Sequence, residues 1–265
     1  MISIIIPTYR NPEYLDLCLK SAIEQQHYEN EIIVAVDGYY EESKDVLEKY
    51  KDNISALDLG ENQGMQQALN LAVMNATNEI IFIVNDDNVF CKDFDVAIIE
   101  DLKPKSALTL NQIEPTGPGI FNFPVKDFGR TPKEFDYEGF IEHQTMIREN
   151  KLTIDGGIFP FAMYKKYYMA VGGFDTMYQS PFICDWDFFL KLELIGLKMS
   201  RTHKAHLYHF GSAATKNGKE GDRFKASESP AAQLFMYKWG MQPQLFENNS
   251  HNPKTGEVIK GIKYE

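Results

Sequence analysis

The sequence has no long hydrophobic run, few cysteines and a shortage of positive charge. Its longest apolar stretches run about six residues, whereas a helix that crosses a bilayer needs about 20. The formal net charge of −11 argues against nucleic acid and anionic membrane surfaces as partners. The three scattered cysteines show no CxxC spacing, which argues against a disulfide scaffold or a structural zinc and favours a reducing compartment.

Several common sequence signals are also lacking. The N-terminus has neither the basic start nor the small-residue cleavage site of a signal peptide, so we expect a cytoplasmic protein with no integral membrane segment. No GxGxxG follows the first strand, and P-loop, HExxH and GxSxG motifs are absent. The 265 residues, 43% hydrophobic and 25% charged, suit an ordinary globular chain with one large domain or two small ones.

The first hundred residues alternate between strand and helix patterns. Strands are predicted over residues 3–7, 31–36, 54–59 and 79–84, with helices over 13–26, 41–50 and 64–75. This alternation predicts an α/β fold with a mostly parallel sheet covered on both faces. Ligands of such sheets bind beyond the carboxyl ends of the strands, so the residues after each strand are candidates for a site.

The rest of the chain is less regular. We predict strands and loops over residues 103–133 and helices over 141–151, 161–171 and 185–194. Residues 212–229 are small, polar and charged, which is typical of a mobile loop. The tail after residue 242 is predicted to be irregular.

Asp86-Asp87 is the sharpest feature of the sequence. Two adjacent carboxylates after a buried strand repel each other unless a cation lies beside them. Mg²⁺ and Mn²⁺ prefer such oxygen ligands and often join one or two carboxylates to a diphosphate. A solvated turn is the alternative for any acidic pair, but the position at the end of a strand favours the metal.

Other polar residues also follow predicted strands. Asp37 could accept the N–H of a nucleobase, or it could simply form the Asp37-Gly38 turn. Tyr9 could stack on a base that Thr8 contacts, although each residue alone also suits packing or a turn.

Asp185-Trp186-Asp187 stands at the start of a predicted helix. One carboxylate there can cap the helix, and the other could be a general base that deprotonates an acceptor hydroxyl. Aromatic neighbours, including Trp186, Phe188 and Phe189, could desolvate the base or could be core residues.

Three histidines recur at His203, His206 and His209, with a pattern that does not decide between helix and strand. His209 could complete a metal site, and the other two are interpreted as structural or surface residues. Gly156-Gly157 and Gly172-Gly173 suit tight turns, or a close approach of backbone to a sugar or diphosphate.

The order of these motifs resembles family 2 glycosyltransferases of the GT-A fold over roughly residues 1–215. The matching segments are Ile4-Ile5-Ile6-Pro7-Thr8-Tyr9-Arg10-Asn11, Val34-Ala35-Val36-Asp37-Gly38, Asn62-Gln63-Gly64 with Ala68 and Asn70, Asn85-Asp86-Asp87-Asn88, Gly172-Gly173-Phe174-Asp175, Cys184-Asp185-Trp186-Asp187 through Lys191-Leu192, and His209-Phe210-Gly211-Ser212. Cys184 in place of Glu and Lys191 in place of Arg depart from the family pattern.

The resemblance implies a Rossmann-like, mostly parallel sheet with a smaller mixed region on the acceptor side. Residues 1–100 would be the nucleotide-sugar half of a single domain, 101–241 the acceptor-binding and catalytic half, and 242–265 a tail. The residues implied in donor-nucleotide binding are Pro7, Thr8, Tyr9, Arg10, Asp37, Asn62, Gly64 and Asp86. The resemblance further implies that Asp87 and His209, with Asp86 possible, hold Mn²⁺ or Mg²⁺.

The implied reaction moves a sugar, with inversion, from a nucleoside-diphosphate donor, most of all a UDP donor, to a glycan, lipid-linked or protein acceptor. Asp185 would be the general base, because its spacing to Lys191 matches the spacing of the family's Asp to its Arg; Asp187 is the rival. Residues on the acceptor and sugar side would be Gly156, Gly157, Trp186 and Asp187. Residues 212–229 would form a lid over the donor.

Two other functions stay open at this point. A nucleotidyltransferase would have an early glycine-rich, basic phosphate loop, which Pro7-Thr8-Tyr9-Arg10 does not resemble. A decayed nucleotide- or sugar-binding module gains weight from Cys184. It loses weight because Asp86, Asp87, Asp185 and His209 are all retained.

Overall fold

The computed structural model describes residues 1–116, 123–211, 218–241 and 243. Its strands are β1 (Ser3–Thr8), β2 (Glu31–Val36), β3 (Ser55–Asp58), β4 (Ile80–Ile83), β5 (Asn88–Val89), β6 (Ser106–Ile113), β7 (Leu152–Thr153), β8 (Phe161–Tyr164) and β9 (Lys198–His209). Its helices are α1 (Pro12–Gln25), α2 (Tyr40–Lys49), α3 (Met65–Asn75), α4 (Phe94–Asp101), α5 (Tyr137–Met146), α6 (Lys165–Ala170), α7 (Cys184–Leu194) and α8 (Gly218–Trp239), with a 3₁₀ turn at Pro132–Glu134.

All nine described strands join one mixed sheet, in the order β3-β2-β1-β4-β8-β6-β9-β5, with β7 also paired to β9. Strands β1 to β4 are parallel neighbours, which confirms the predicted α/β architecture. Strand β8 lies between β4 and β6 and is antiparallel to both, whereas β9 is parallel to β6. The carboxyl ends of β1, β2, β4, β6 and β9 therefore share one edge of the sheet.

The central strands are buried on both faces, which explains their continuous apolar sequences. Ile4, Ile5 and Ile6 of β1 are all fully buried. Side chains of α1, α2, α4 and α5 pack on one face, and side chains of α3, α6, α7 and α8 pack on the other. This arrangement is typical of a parallel sheet whose crossover helices cover it.

The helix predicted over residues 161–171 is wrong in its first part. Phe161–Tyr164 forms β8, and only Lys165–Ala170 is helical. A short apolar run does not distinguish a buried strand from a buried helix by its period, and pairing with β4 and β6 decides in favour of the strand. Pairing likewise places His203, His206 and His209 on strand β9.

The mobile loop predicted over residues 212–229 is wrong from residue 218 onward, because α8 begins there. Ala231 and Phe235, in the second half of α8, are buried against α3 and α7. Packing of this half stabilises the helix, and the polar first half continues it. Residues 212–217 and the tail after residue 242, apart from residue 243, lie outside the described residues. In the part of the chain that is described, no helix is both long and apolar enough to cross a membrane.

Asn70 of α3 fastens the turn between α6 and α7. Its Oδ1 accepts hydrogen bonds from the Tyr168 hydroxyl (2.7 Å) and the Phe174 N–H (2.9 Å), and its Nδ2 donates to Phe174 O (2.8 Å). A Cβ at Gly173 would lie 2.3 Å from the same Oδ1. The turn predicted at Gly172-Gly173 is confirmed, and glycine permits its close contact with α3.

We expect Asn70→Ala to lower the free energy of unfolding by about 2–4 kcal/mol, because it leaves three hydrogen-bonding groups without this partner. Asn75→Ala is the matched control on the exposed side of the same helix, where Nδ2 donates only to Leu71 O. The control should change the free energy by less than about 0.5 kcal/mol. Urea denaturation measures both, and equal losses would contradict the role given to Asn70.

Candidate functional site

Acidic and polar side chains from five strand ends converge on the carboxyl edge of the sheet. They are Thr8 at the end of β1, Asp37 after β2, Asp86 and Asp87 after β4, Glu114 after β6 and His209 at the end of β9. The parallel pairing of β1 with β2 and β4, and of β6 with β9, brings these ends to the same side. This edge is where ligands of open α/β sheets bind.

Asp86 is held by the segment that follows β1. The Thr8 hydroxyl donates to Asp86 Oδ2 at 2.7 Å, and Asn11 Nδ2 donates to Oδ1 at 3.1 Å. Burial and then the charge of Asp87 raise the pKa of Asp86 to about 7, while the two hydrogen bonds oppose this rise. The carboxyl group therefore binds a proton near neutral pH unless a positive charge lies close to it.

Asp87 lies beside His209 and is 4% exposed. Its Oδ1 is 3.7 Å from His209 Nε2, and its backbone oxygen accepts the Phe210 N–H at 3.2 Å. On the other side of the imidazole, Nδ1 lies 2.9 Å from Glu114 Oε1. The pairing of Asn88 with His209 in the β5–β9 ladder brings these two distant parts of the chain together.

The donor set fits a divalent cation. A carboxylate bound to one ring nitrogen commonly orients a metal-binding histidine, and here Glu114 leaves Nε2 directed towards Asp87. Among the described residues no group of three or more His, Cys, Asp or Glu side chains forms a complete ligand set. The protein would thus supply two ligands, Asp87 and His209, and a bound diphosphate and water would supply the others.

Asp37 organises the loop before α3. Its carboxylate accepts hydrogen bonds from Asn62 Nδ2 (2.9 Å), Gln63 N (2.6 Å) and Gly64 N (3.0 and 3.2 Å to the two oxygens). A Cβ at Gly38 would lie 2.7 Å from Asn62 N, so this turn requires glycine. Burial raises the pKa of Asp37, and the Gln63 and Gly64 N–H groups oppose that rise. The structure therefore brings together the predicted residues Asp37, Asn62 and Gly64.

The residues after β1 form a small aromatic group at the surface. Pro7 is inside β1, and the Tyr9 ring meets the Tyr39 ring edge to face at 5.6 Å. Arg10 lies over Tyr39, with its Cζ 4.4 Å from the ring centroid, and pairs with Glu42 at 3.1 Å. Arg10 and Tyr39 both have positive φ, 53° and 55°. Strained backbone of this kind occurs often at functional sites.

Gly156-Gly157 lies between β7 and β8, beside Met199 and Ser200 near the start of β9. A Cβ at Gly156 would be 2.2 Å from Ser200 O, so only glycine permits this approach to β9. The Gly157 N–H donates to Thr109 Oγ1 at 3.1 Å. The two residues thus fix the path of the backbone between β9 and β6.

Asp185 lies in the first turn of α7 and is partly exposed. Burial raises its pKa to about 6, although the Trp186 N–H donates to its Oδ1 at 2.9 Å. Ile183, just before the helix, has φ +71°, which is a strained conformation for a β-branched residue. A carboxylate with a raised pKa in a strained turn is suited to act as a general base.

Asp187 has different surroundings, since its side chain is fully buried. Its Oδ1 accepts hydrogen bonds from Trp239 Nε1 (2.8 Å) and the Tyr178 hydroxyl (3.2 Å), and it pairs with Lys238 Nζ at 2.7 Å. Lys191 Nζ lies 3.5 Å from Oδ2. Asp187 is therefore enclosed in the contact between α7 and α8, whereas its neighbour Trp186 is half-buried.

Asn11 and Glu114 are two further residues of this edge for which the sequence pattern predicts no role. Both follow strands directly or within a few residues, and both bind predicted site residues, Asp86 and His209. Glu114 directly follows β6, so it can be recognised as a strand-end residue only when the end of β6 is known. The sequence pattern over residues 103–133 predicts strands and loops but does not give the bounds of a single strand.

Comparison with known proteins identifies similar chains. The sequence model described as glycosyl transferase family 2 matches residues 3–172. An uncharacterised glycosyltransferase of Haemophilus influenzae is 27% identical over 203 residues, which cover 72% of this chain and 62% of that protein. Poly-β-1,6-N-acetyl-D-glucosamine synthase of Staphylococcus epidermidis is 28% identical over 109 residues, which cover 40% of this chain and 26% of that protein. The chain thus spans less than two thirds of these relatives.

Solved structures share the fold. The mannosyltransferase PcManGT of Pyrobaculum calidifontis, in complex with GDP-Man and Mn²⁺, has a TM-score of 0.60 at 16% identity; the alignment covers 93% of this chain and 66% of that one. TarS of S. aureus, residues 1–349, has a TM-score of 0.59 at 19% identity, and the alignment covers 90% of this chain and 73% of that one. At these identities the likeness shows the fold alone, and it agrees with the GT-A architecture expected from the motifs.

We expect Asp86→Asn to become more stable relative to wild type as pH rises from 5 to 8 without metal. The folded-state pKa of Asp86, about 7, is above its ordinary value of 3.8. The protonated carboxyl group of Asp86 therefore makes its full contribution to the free energy of unfolding below the ordinary pKa. This contribution is lost as the pH rises through 7. Asparagine does not ionise, and it can still bond to Thr8 and Asn11.

Melting temperatures measured in EDTA over this pH range test the expectation. Asp45→Asn, an exposed carboxylate on α2, is the control and should follow wild type. A difference between Asp86→Asn and wild type that stays constant with pH would show that the Asp86 pKa is not raised.

Proposed function

The chain belongs to glycosyl transferase family 2, and we propose that it moves a sugar from a nucleoside-diphosphate donor, most of all a UDP donor, to an acceptor hydroxyl with inversion. The observation that carries this proposal is the buried pair Asp86-Asp87 at the sheet edge, with His209 Nε2 3.7 Å from Asp87 Oδ1. Structures of similar fold were solved with UDP and UDP-GlcNAc (TarS), with UDP, GalNAc and Mn²⁺ (GalNAc-T7), and with GDP-Man and Mn²⁺ (PcManGT). The ligands bound in these structures support a nucleotide-sugar donor.

In this proposal the first half of the chain, residues 1–100, binds the donor nucleotide. Thr8 and Tyr9 lie beside the base, and Asp37 shapes the wall of the site through the loop at residues 62–64. Because four hydrogen bonds reach the Asp37 carboxylate from this loop, a base would meet Asp37 together with Asn62 and Gly64. Pro7 and Arg10 would contact the same nucleotide, and Asp86 would face the ribose or the metal.

Asp87 and His209 would hold Mn²⁺ or Mg²⁺. The cation, when bound, would neutralise the charge that develops on the leaving nucleoside diphosphate. Glu114 would keep the His209 ring in place, and Thr8 and Asn11 would keep Asp86 in place. Because Glu114 and His209 come from residues 101–241, the two halves of the chain would share this site.

Asp185 would act as the general base. The acceptor oxygen forms a bond to the anomeric carbon, its proton passes to the Asp185 carboxylate, and the carbon–oxygen bond to the diphosphate breaks with its electron pair on the leaving group. The raised pKa of Asp185, about 6, leaves the base ionised at neutral pH. Asp187 is less suited, because it would have to leave Lys238, Trp239 and Tyr178 to reach a substrate.

The acceptor side would be formed by Gly156, Gly157 and Trp186, and Asp187 would support it from beneath. A glycan, a lipid-linked sugar or a protein would supply the hydroxyl. We propose a cytoplasmic location. It is supported by the three cysteines Cys18, Cys91 and Cys184, which are buried and form no disulfide. Catalysis by residues 101–241 and donor binding by residues 1–100 together define the proposed organisation.

We expect one of UDP, GDP, dTDP and CMP, with UDP first, to raise the melting temperature only when Mn²⁺ is present. Ligand binding to the folded state stabilises it by mass action, by about 2.7 kcal/mol at a concentration of 100 Kd. Asp87→Ala should abolish the shift, whereas Asp45→Ala on α2 should keep it. If no nucleotide gives a shift, the active transferase is ruled out and a decayed binding module becomes the better description.

We expect Asp185→Asn to lower kcat for sugar transfer by about 10²–10⁴-fold with unchanged nucleotide affinity, as for loss of a general base. In wild type, kcat should fall as pH drops below about 6, because the base becomes protonated. Pre-steady-state or steady-state transfer assays over pH 5–8 measure both effects. Full activity in Asp185→Asn, combined with loss of turnover in Asp187→Asn, would show that Asp187 is the base.

A further inference from the structure

Lys238, near the end of α8, joins two carboxylates from two different elements. Its Nζ lies 2.7 Å from Asp175 Oδ2 and 2.7 Å from Asp187 Oδ1. Asp175 belongs to the turn between α6 and α7, and Asp187 belongs to the first turns of α7. One ammonium group thus connects the last turn of α8 to both.

The carboxylate of Asp187 is a buried junction. It is fully buried, and beyond Lys238 it receives the Trp239 indole N–H at 2.8 Å and the Tyr178 hydroxyl at 3.2 Å. A buried carboxylate is stable only when opposite charge and hydrogen bonds surround it, and its position is set by those partners. Movement of α8 therefore has to move Asp187 or break these contacts.

The proposed base shares a helical turn with this junction. Asp185 precedes Asp187 by two residues, and Lys191, one turn further along α7, lies 3.5 Å from Asp187 Oδ2 and also donates to Gly173 O. The start of α7 is therefore tied at Asp187 to α8 and to the turn that follows α6. The residue that precedes the helix, Ile183, has a positive φ and does not cap the helix with a side-chain hydrogen bond.

We propose that Lys238 is a positioning residue for sugar transfer: by joining Asp187 to Asp175, it sets the position of the first turn of α7 and hence of the Asp185 carboxylate relative to the acceptor. Lys238 does not touch the substrate in this account. The inference rests on the proposed function, with Asp185 as the base. A displacement of about 1 Å in a reacting group can lower the rate by about 100-fold.

Lys204 provides a matched control on another part of the molecule. Its Nζ also pairs with two carboxylates, Asp101 at 2.8 Å and Glu100 at 2.9 Å. Its side chain is 25% exposed, and that of Lys238 is 29% exposed. Lys204 is on β9 and pairs with α4, away from α7, so its loss tests stability without moving the base.

The experiment compares wild type with Lys238→Met, Lys238→Arg and Lys204→Met. We expect Lys238→Met to lower kcat for transfer by about 10- to 100-fold with the Kd for the nucleoside diphosphate and Mn²⁺ within twofold of wild type. Lys238→Arg should recover most of the rate, and Lys204→Met should keep it. Equal rates for Lys238→Met and Lys204→Met overturn the inference, and so does a loss of donor affinity that accounts for the loss of rate.

Failure of the proposed function would give a different result. Wild type would then transfer no sugar from any nucleotide donor, whereas failure of this inference alone leaves wild type active.

Tryptophan fluorescence supplies a readout that needs no activity, because the chain has two tryptophans, Trp186 and Trp239. In a Trp186→Phe background, Lys238→Met should shift the Trp239 emission to longer wavelength and increase its quenching by acrylamide. An unchanged spectrum overturns the inference.

Discussion

The burial of two adjacent carboxylates, Asp86 and Asp87, is the constraint around which the edge of the sheet is built. Like charges this close raise each other's free energy, and removal from water adds to the cost. Thr8 and Asn11 donate hydrogen bonds to Asp86 from one side, and His209 approaches Asp87 from the other. The residual imbalance is visible in the pKa of Asp86, and a bound divalent cation would relieve it.

Topology brings these partners together. Residues before 100 supply β1 and β4, and residues after 100 supply β6 and β9, yet all four strands end at one edge. The antiparallel strand β8 joins the two sets, because it pairs with β4 on one side and β6 on the other. Among the described residues, non-glycine backbone with positive φ occurs near this edge at Arg10 and Tyr39, before α7 at Ile183, and elsewhere at Asp93 and Lys105.

Polar contacts tie helices α3, α7 and α8 together within an apolar layer. Asn70 holds the turn after α6 by three hydrogen bonds, and Lys238 holds the same turn to α7. Hydrogen bonds and ion pairs of this kind restrict both the distance and the direction between the groups that they join. The proposed base on α7 would therefore take its position from residues far away in the sequence.

The amino-acid sequence by itself determined the alternating elements of the first hundred residues, the acidic pair after β4 and the order of motifs that led to the family. Periodicity and turn residues are local properties, so they can be seen without the fold. Local patterns gave the wrong structure at residues 161–164, which form a strand because they pair with β4 and β6. They also gave the wrong structure at the first half of α8, which continues the packed second half of the same helix. Only the tertiary structure decided that Glu114 supports His209, that Asp37 is engaged with the loop at residues 62–64, and that Asp187 is enclosed while Asp185 is partly exposed. These are contacts between residues distant in the sequence, and burial and hydrogen-bond partners exist only once the sheet brings them together.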